Sequence, residues 1–329
     1  MLGNIIQRVE GKSKLYISPD GLYNQINLYT LIDESGRYLF DRFSIKLLSN
    51  PGNLIRAKTG DFSAAGFRNA VLFGYPNYKL NPEIQAELSR NYQSKTKIDF
   101  GNLSDADNMS AVKITDLIGT KIEIEQIEKI LTGNSINVSK HLQNDALEEA
   151  IKVVDSPDIL HIATHGFFIN DKASATQKGE MIRSEKQKRN PLLKSGLLLA
   201  GATRGLTGKT PEEYSLLDDG ILTAFEAMSL KLDSTKLVVL SACETGLGLA
   251  ENSDGIAGLQ RAFQVSGARI IIMSLWKVSD EVTKELMTAF YTNLFEAESV
   301  SSAFRSAQAV IKNKYQNPDY WGAFVLIAY

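Results

Sequence analysis

The sequence is short of the residues that staple small secreted folds: among 329 residues there is one cysteine, Cys243. A single thiol cannot close an intramolecular disulfide, so a disulfide-built scaffold is excluded. No stretch approaches the ~18 uninterrupted apolar residues of a membrane-crossing helix. The opening residues, Met1-Leu-Gly-Asn-Ile-Ile-Gln-Arg8, lack the apolar run of about 7–15 residues that marks a signal peptide. A cytoplasmic location with no membrane contact is therefore the expectation. An excess of one charge is also missing, since 36 Lys and Arg oppose 38 Asp and Glu for a net charge of -2. No global field draws this chain to nucleic acid or anionic lipid, which leaves a protein as the default partner.

Several motifs are absent as well. There is no Gly-x-x-x-x-Gly-Lys-Ser/Thr loop for nucleotide phosphates and no Gly-x-Ser-x-Gly elbow for a serine hydrolase. Gly246-Leu-Gly248 begins a dinucleotide fingerprint, but Glu251 stands where its third glycine belongs. No internal repeat of the solenoid kind is visible.

What is present is a 43% apolar chain, enough for a large core. Residues 1–69 alternate short β-type runs with turn chemistry, as in Lys14–Gly21, Ile26–Leu31 and Tyr38–Leu48, and predict hairpins or a mixed sheet. From Ala70 onward apolar strands alternate with helical patterns. Strands are expected near 70–74, 136–138, 159–165, 237–243, 268–276 and 321–329, and helices near 121–131, 146–154, 255–263, 280–296 and 301–314. This order indicates a mainly parallel sheet with helices on both faces, whose ligands bind at the carboxyl ends of the strands. The polar segments 91–111 and 170–194 read as loops. The second leaves the His165 strand directly, which makes it a candidate activation or autocleavage loop.

Two strands end in reactive side chains. Leu237-Val-Val-Leu-Ser-Ala-Cys243 runs into Glu244-Thr-Gly246, and Ile159-Leu-His-Ile-Ala-Thr-His165 runs into Gly166. A thiol attacks as its thiolate, which a neighbouring imidazole or a helix N-terminus favours. Cys243 as nucleophile and His165 as base fit that need, with the N–H groups of Gly166 and Cys243 as oxyanion donors. Zinc binding by His161 and His165 is ruled out by spacing, since four strand residues span about 13 Å. No metal or cofactor is expected. His161 reads as a hydrogen-bonded core residue and His141 as a surface one. Asp254 and Asp280 read as helix N-caps.

These residues sit in blocks that together resemble the CHAT family of caspase- and separase-like peptidases. The blocks are Tyr16-Ile-Ser-Pro-Asp-Gly21, Leu160-His-Ile-Ala-Thr-His-Gly-Phe167, Ser195-Gly-Leu-Leu-Leu-Ala-Gly201, Asp219-Gly-Ile-Leu-Thr-Ala224, Leu237 to Gly246, Gly255 to Phe263, Gly267-Ala-Arg269, Ser274-Leu-Trp276 and Trp321-Gly-Ala-Phe324. The resemblance implies a caspase-like three-layer α/β fold, with residues 1–69 as an N-terminal β-rich part and 70–329 as the catalytic core. It further implies a cysteine endopeptidase with a His165–Cys243 dyad, and a substrate pocket that includes Ser274 and Trp276. Family members are usually attached to tetratricopeptide repeats, which this sequence lacks. A separate repeat partner or regulator, or a longer parent protein, is the corresponding expectation. Some members resemble bacterial defence effectors that make limited cuts in a companion protein. The alternative reading is a latent caspase-like scaffold that binds protein without turnover.

Overall fold

A computed structural model of the protein describes residues 8–20, 23–24, 26–55, 61–92, 114–168, 191–193, 195–208, 211–242 and 253–328. Its centre is an eight-stranded sheet. In chain order the strands of the molecule are β1 (Lys14–Ile17), β2 (Ser44–Leu48), β3 (Asn69–Pro76), β4 (Asn137–Gln143), β5 (Ile159–Ala163), β6 (Gly166–Phe168), β7 (Ser195–Leu198), β8 (Ile221–Thr223), β9 (Leu237–Leu240), β10 (Ile270–Ser274) and β11 (Phe324–Ala328). The large sheet runs β1-β2-β11-β10-β9-β5-β3-β4, and β6-β7-β8 form a separate antiparallel sheet. Every neighbouring pair in the large sheet is parallel except β10 with β11.

The central strands β5, β9 and β10 are buried along their whole length because both of their faces are covered. Alternation sends Leu160, Ile162, Val238 and Leu240 to one face, against Ala150 and Ile151 and against Phe263 of α1 (Ser253–Val265). Ile159, Ala163, Leu237 and Val239 go to the other. There they meet α2 (Ile118–Gly133), α3 (Asp280–Leu294) and α4 (Val300–Lys314). The expected three-layer architecture is thus the one observed. Segments 93–113, 169–190 and 243–252, which include Cys243 and all of the candidate activation loop before Pro191, lie outside the described residues.

Of the two expectations for the N-terminal part, hairpins or a mixed sheet, the structure shows the second. β1 and β2 pair in parallel, and β2 joins β11 at Leu47↔Ile327 and Leu48↔Ala328, so this part extends the main sheet. The run expected as a strand over 26–31 contains a 3-10 turn, Leu28–Thr30, whose first residues are held by the Asn27 carboxamide. Asn27 Nδ2 also donates to the carbonyls of Gly322 and Phe324, at 2.7 and 3.2 Å. Long-range hydrogen bonds override local strand preference here. A helical turn, Leu39–Arg42, likewise replaces the start of the third β-type run.

The small sheet is bolted to the large one by buried carboxylates. Glu148 accepts from the N–H groups of Gly220 and Ile221 at 2.9 and 3.0 Å, and pairs with Lys152, which also reaches Asp218 and Glu226. Gly220 has φ +81, and a Cβ there would lie 2.4 Å from the Ala202 nitrogen, so only glycine fits. Burial, with the Glu226 charge adding, pushes the neighbouring Asp219 up to about 7. The folded state therefore holds the Asp219 proton more tightly than the unfolded chain does. Its contribution to stability is complete below the ordinary carboxylate value and is lost as pH rises through about 7. Asp219→Asn, which keeps an oxygen to accept from Ile221 N–H, should flatten the fall in melting temperature between pH 4 and 8. An unchanged pH profile by calorimetry would refute this role.

Candidate active site

His165 follows directly on the carboxyl end of β5, where the sequence places it. Its carbonyl accepts from Leu198 N–H at 2.8 Å, and the next residue, Gly166, opens β6 opposite Leu197. The histidine is 4% exposed. Its Nε2 lies 2.7 Å from the carbonyl oxygen of Thr115. A carbonyl only accepts, so Nε2 carries the proton and Nδ1 is left with its lone pair. Nδ1 is buried and has no hydrogen-bond partner among the described residues. The orienting group that sequence reasoning failed to name is therefore a backbone carbonyl, on the segment that leads into α2. Main-chain groups have no side-chain signature, and Thr115 lies 50 positions from His165.

Burial pushes the His165 imidazole below its ordinary value, while the Thr115 carbonyl and the Asp280 charge pull the other way. Burial thus favours the neutral ring, the form that proton abstraction requires.

The strand that leads to Cys243 lies beside β5. β5 and β9 pair from Ile159↔Leu237 to Ile162↔Leu240, an offset of 78 positions (237 minus 159), and Ser241 N–H continues the ladder to the Ile162 carbonyl at 2.9 Å. His165 and Cys243 are separated by the same 78 positions (243 minus 165). Ser274, at the end of β10, donates its hydroxyl to the carbonyl of Ala242 at 2.8 Å. Ser274 thereby ties β10 to the residue that precedes Cys243. Trp276 is half-buried, packs against both core clusters, and donates Nε1–H to the Asp319 carbonyl at 2.9 Å. Both pocket candidates have committed their donors to main-chain carbonyls.

The other sequence-level candidates resolve as follows. His161 is fully buried, with Nδ1 3.0 Å from the Tyr291 hydroxyl and Nε2 3.0 Å from Glu123 Oε1, so it is a hydrogen-bonded core residue as expected. His141 is not a free surface residue. It is half-buried and stacks on Phe73 at 4.6 Å with 12° between the rings, and burial pushes its imidazole down. Asp280 is the first residue of α3, whose cap is Ser279, with Oγ accepting from Val282 N–H. Its carboxylate packs instead against Gly119 at the start of α2. Asp254 lies in the first turn of α1, which begins at Ser253. Among the described residues no cluster of three or more His, Cys, Asp or Glu is arranged to hold a metal ion. No helix among them is long and apolar enough to cross a membrane.

In a Cys243→Ala variant, where no thiolate can hold the imidazolium, His165 should titrate below its ordinary value of 6.5. NMR titration of the ring protons measures this directly. A value at or above 6.5 would contradict the buried, neutral base.

Comparison with known proteins gives three results. A chain in the structure of a complex of Porphyromonas gingivalis RgpB pro- and mature domains aligns with TM-score 0.39 and 10% identity, over 96% of this chain and 78% of that one. Tetratricopeptide repeat protein 28 is 34% identical over 109 residues in Mus musculus and 31% identical over 122 residues in Homo sapiens. Those matches take in 32% and 36% of this chain, and the chain spans only 4% and 5% of the two relatives. The family model described as CHAT domain matches residues 2–329, essentially the whole sequence, and the chain belongs to the CHAT family.

Proposed function

We propose that the protein is a cysteine endopeptidase in which His165 and Cys243 form a dyad that makes limited cuts in a protein substrate. The observation that carries this reading is the β5–β9 register. Its offset of 78 equals the His165–Cys243 separation, so the two residues follow the last paired positions, Ile162 and Leu240, at the same distance of three residues. The state of the ring adds to it. Nε2 is occupied by Thr115, and the buried Nδ1, without a partner among the described residues, is the atom proposed to take the thiol proton.

The chemistry follows from those roles. Cys243 passes its proton to His165 Nδ1, and the thiolate attacks the scissile carbonyl. The N–H groups of Gly166 and Cys243 are the proposed donors to the oxyanion. As the tetrahedral adduct collapses, the imidazolium protonates the departing amine and leaves an acyl-enzyme thioester. Neutral His165 then removes a proton from water, which attacks the thioester and releases the product acid and the thiol. The Thr115 carbonyl faces the Nε2–H throughout and favours the imidazolium that forms in each half-reaction. Ser274 and Trp276 are proposed as walls of the pocket for the residue before the scissile bond. With their donors committed elsewhere, they offer shape and an indole surface, not hydrogen bonds. Two relatives named for tetratricopeptide repeats support a repeat module as regulator, whether in the same polypeptide or a separate one.

The test is digestion of a diverse peptide library by the wild-type chain, Cys243→Ala and His165→Ala, with and without the proteins encoded beside it, read by mass spectrometry. Each variant should keep its melting transition and lose roughly 10³-fold or more of the cleavage rate. Cuts that persist in Cys243→Ala would overturn the assignment. Partner binding retained in both variants, with no cut by the wild type under any condition, would identify a scaffold.

A further inference from the structure

We propose that Tyr78 is the positioning residue for His165, holding the ring of the proposed base and the residue that precedes it from a single buried side chain. This inference rests on the peptidase reading and deepens it.

Tyr78 lies just beyond the carboxyl end of β3, the strand next to β5. β3 breaks register between Gly74 and Pro76, and Tyr75 there has φ +47, a left-handed value rare for a residue with a side chain. Tyr75 N–H is held by Thr120 Oγ1 at 3.0 Å, and Thr120 Oγ1 in turn donates to the Leu117 carbonyl at 2.7 Å. The break turns the chain so that Asn77 and Tyr78 meet the segment 201–203. Their carbonyls accept from Gly201 and Thr203 N–H at 3.0 and 2.9 Å. Tyr78 is anchored in this way on both sides of its side chain.

That side chain is 2% exposed. Its ring lies 5.3 Å from the imidazole of His165 at a 35° tilt, covering one face of the base. Its hydroxyl is 3.0 Å from Thr164 Oγ1, which donates onward to the Leu198 carbonyl. Since Thr164 donates to Leu198, the Tyr78 hydroxyl is the donor to Thr164, and one proton order satisfies the whole chain. The ring also shares a core cluster with Ile114, the residue before Thr115. Two determinants of imidazole orientation therefore converge on one residue: the residue that precedes His165 on the backbone and the ring that packs against the imidazole, while Ile114 of the same cluster precedes the residue whose carbonyl sets the tautomer. A core tyrosine with no such role would need one partner for its hydroxyl and no contact with the base.

The test reads the tautomer of His165 by long-range ¹H–¹⁵N correlation in the intact chain, which holds only three histidines. Wild type should show His165 protonated at Nε2. Tyr78→Phe keeps the ring and removes the hydroxyl, and Tyr78→Leu removes both. The expected result is a mixed His165 tautomer in Tyr78→Phe, more pronounced in Tyr78→Leu, with His161 signals unchanged. Alongside it, kcat on the best library peptide should fall roughly 10-fold with KM within about twofold. Wild-type tautomer in both variants, with only a lower melting temperature, would overturn the proposal. Should Tyr78→Leu fail to fold, Tyr78→Phe decides alone. Because the tautomer needs no turnover, a negative result here is separable from failure of the peptidase reading, which Cys243→Ala tests.

Discussion

The parallel pairing of β5 on β9 is the constraint on which the candidate site depends. A register slip of one residue would turn every side chain of a strand to the opposite face. Here that would expel Leu160 and Ile162 from one core and Ile159 and Ala163 from the other. Burial on both faces thus fixes the register, and the register fixes which residue of one strand end faces which residue of the next. Both residues of the proposed dyad lie three positions beyond this register, which is set by aliphatic side chains that take no part in chemistry.

Polar groups within this apolar frame do the finer work. Glu123, His161 and Tyr291 join α2 and α3 to β5 through hydrogen bonds inside one face of the core. With the Glu123 carboxylate accepting Nε2–H and the Tyr291 hydroxyl donating to Nδ1, all three are satisfied, which low-dielectric burial demands. The segment that leads into α2 carries the Thr115 carbonyl, so anchoring α2 also steadies the group that binds His165. On the other face, Glu148 and Lys152 join the small sheet to the large one near the segment that follows His165.

Much of this was legible in the sequence where the signal was local. The apolar runs at 159–163, 237–240 and 270–274 are continuous because their strands are covered twice, and each was recognisable from that continuity. The helices 118–133, 280–294 and 300–314 followed from their spacing. Legibility ended where distant partners decided. The residues around Asn27 read as a strand, but carbonyls some 300 positions away hold them in a turn. His141 looked exposed beside Lys140, yet Phe73 on the neighbouring strand covers it. Asp280 resembled a helix cap, whereas the serine before it makes the hydrogen bond and frees the carboxylate to sit against α2.

By itself the sequence determined the α/β class, the family and the identity of the two residues proposed for the chemistry. The class shows in periodicity, while the family and the two residues rest on motif blocks that resemble it, and a linear chain displays both in full. The tertiary structure decided which nitrogen of His165 carries the proton, that Ser274 braces the carbonyl before Cys243, and that Tyr78 lies against the imidazole. It also decided that the N-terminal part completes the main sheet. These depend on backbone carbonyls and on contacts between residues 32 to 87 positions apart or more, and hydrogen-bond geometry of that kind exists only once the strands have been laid side by side.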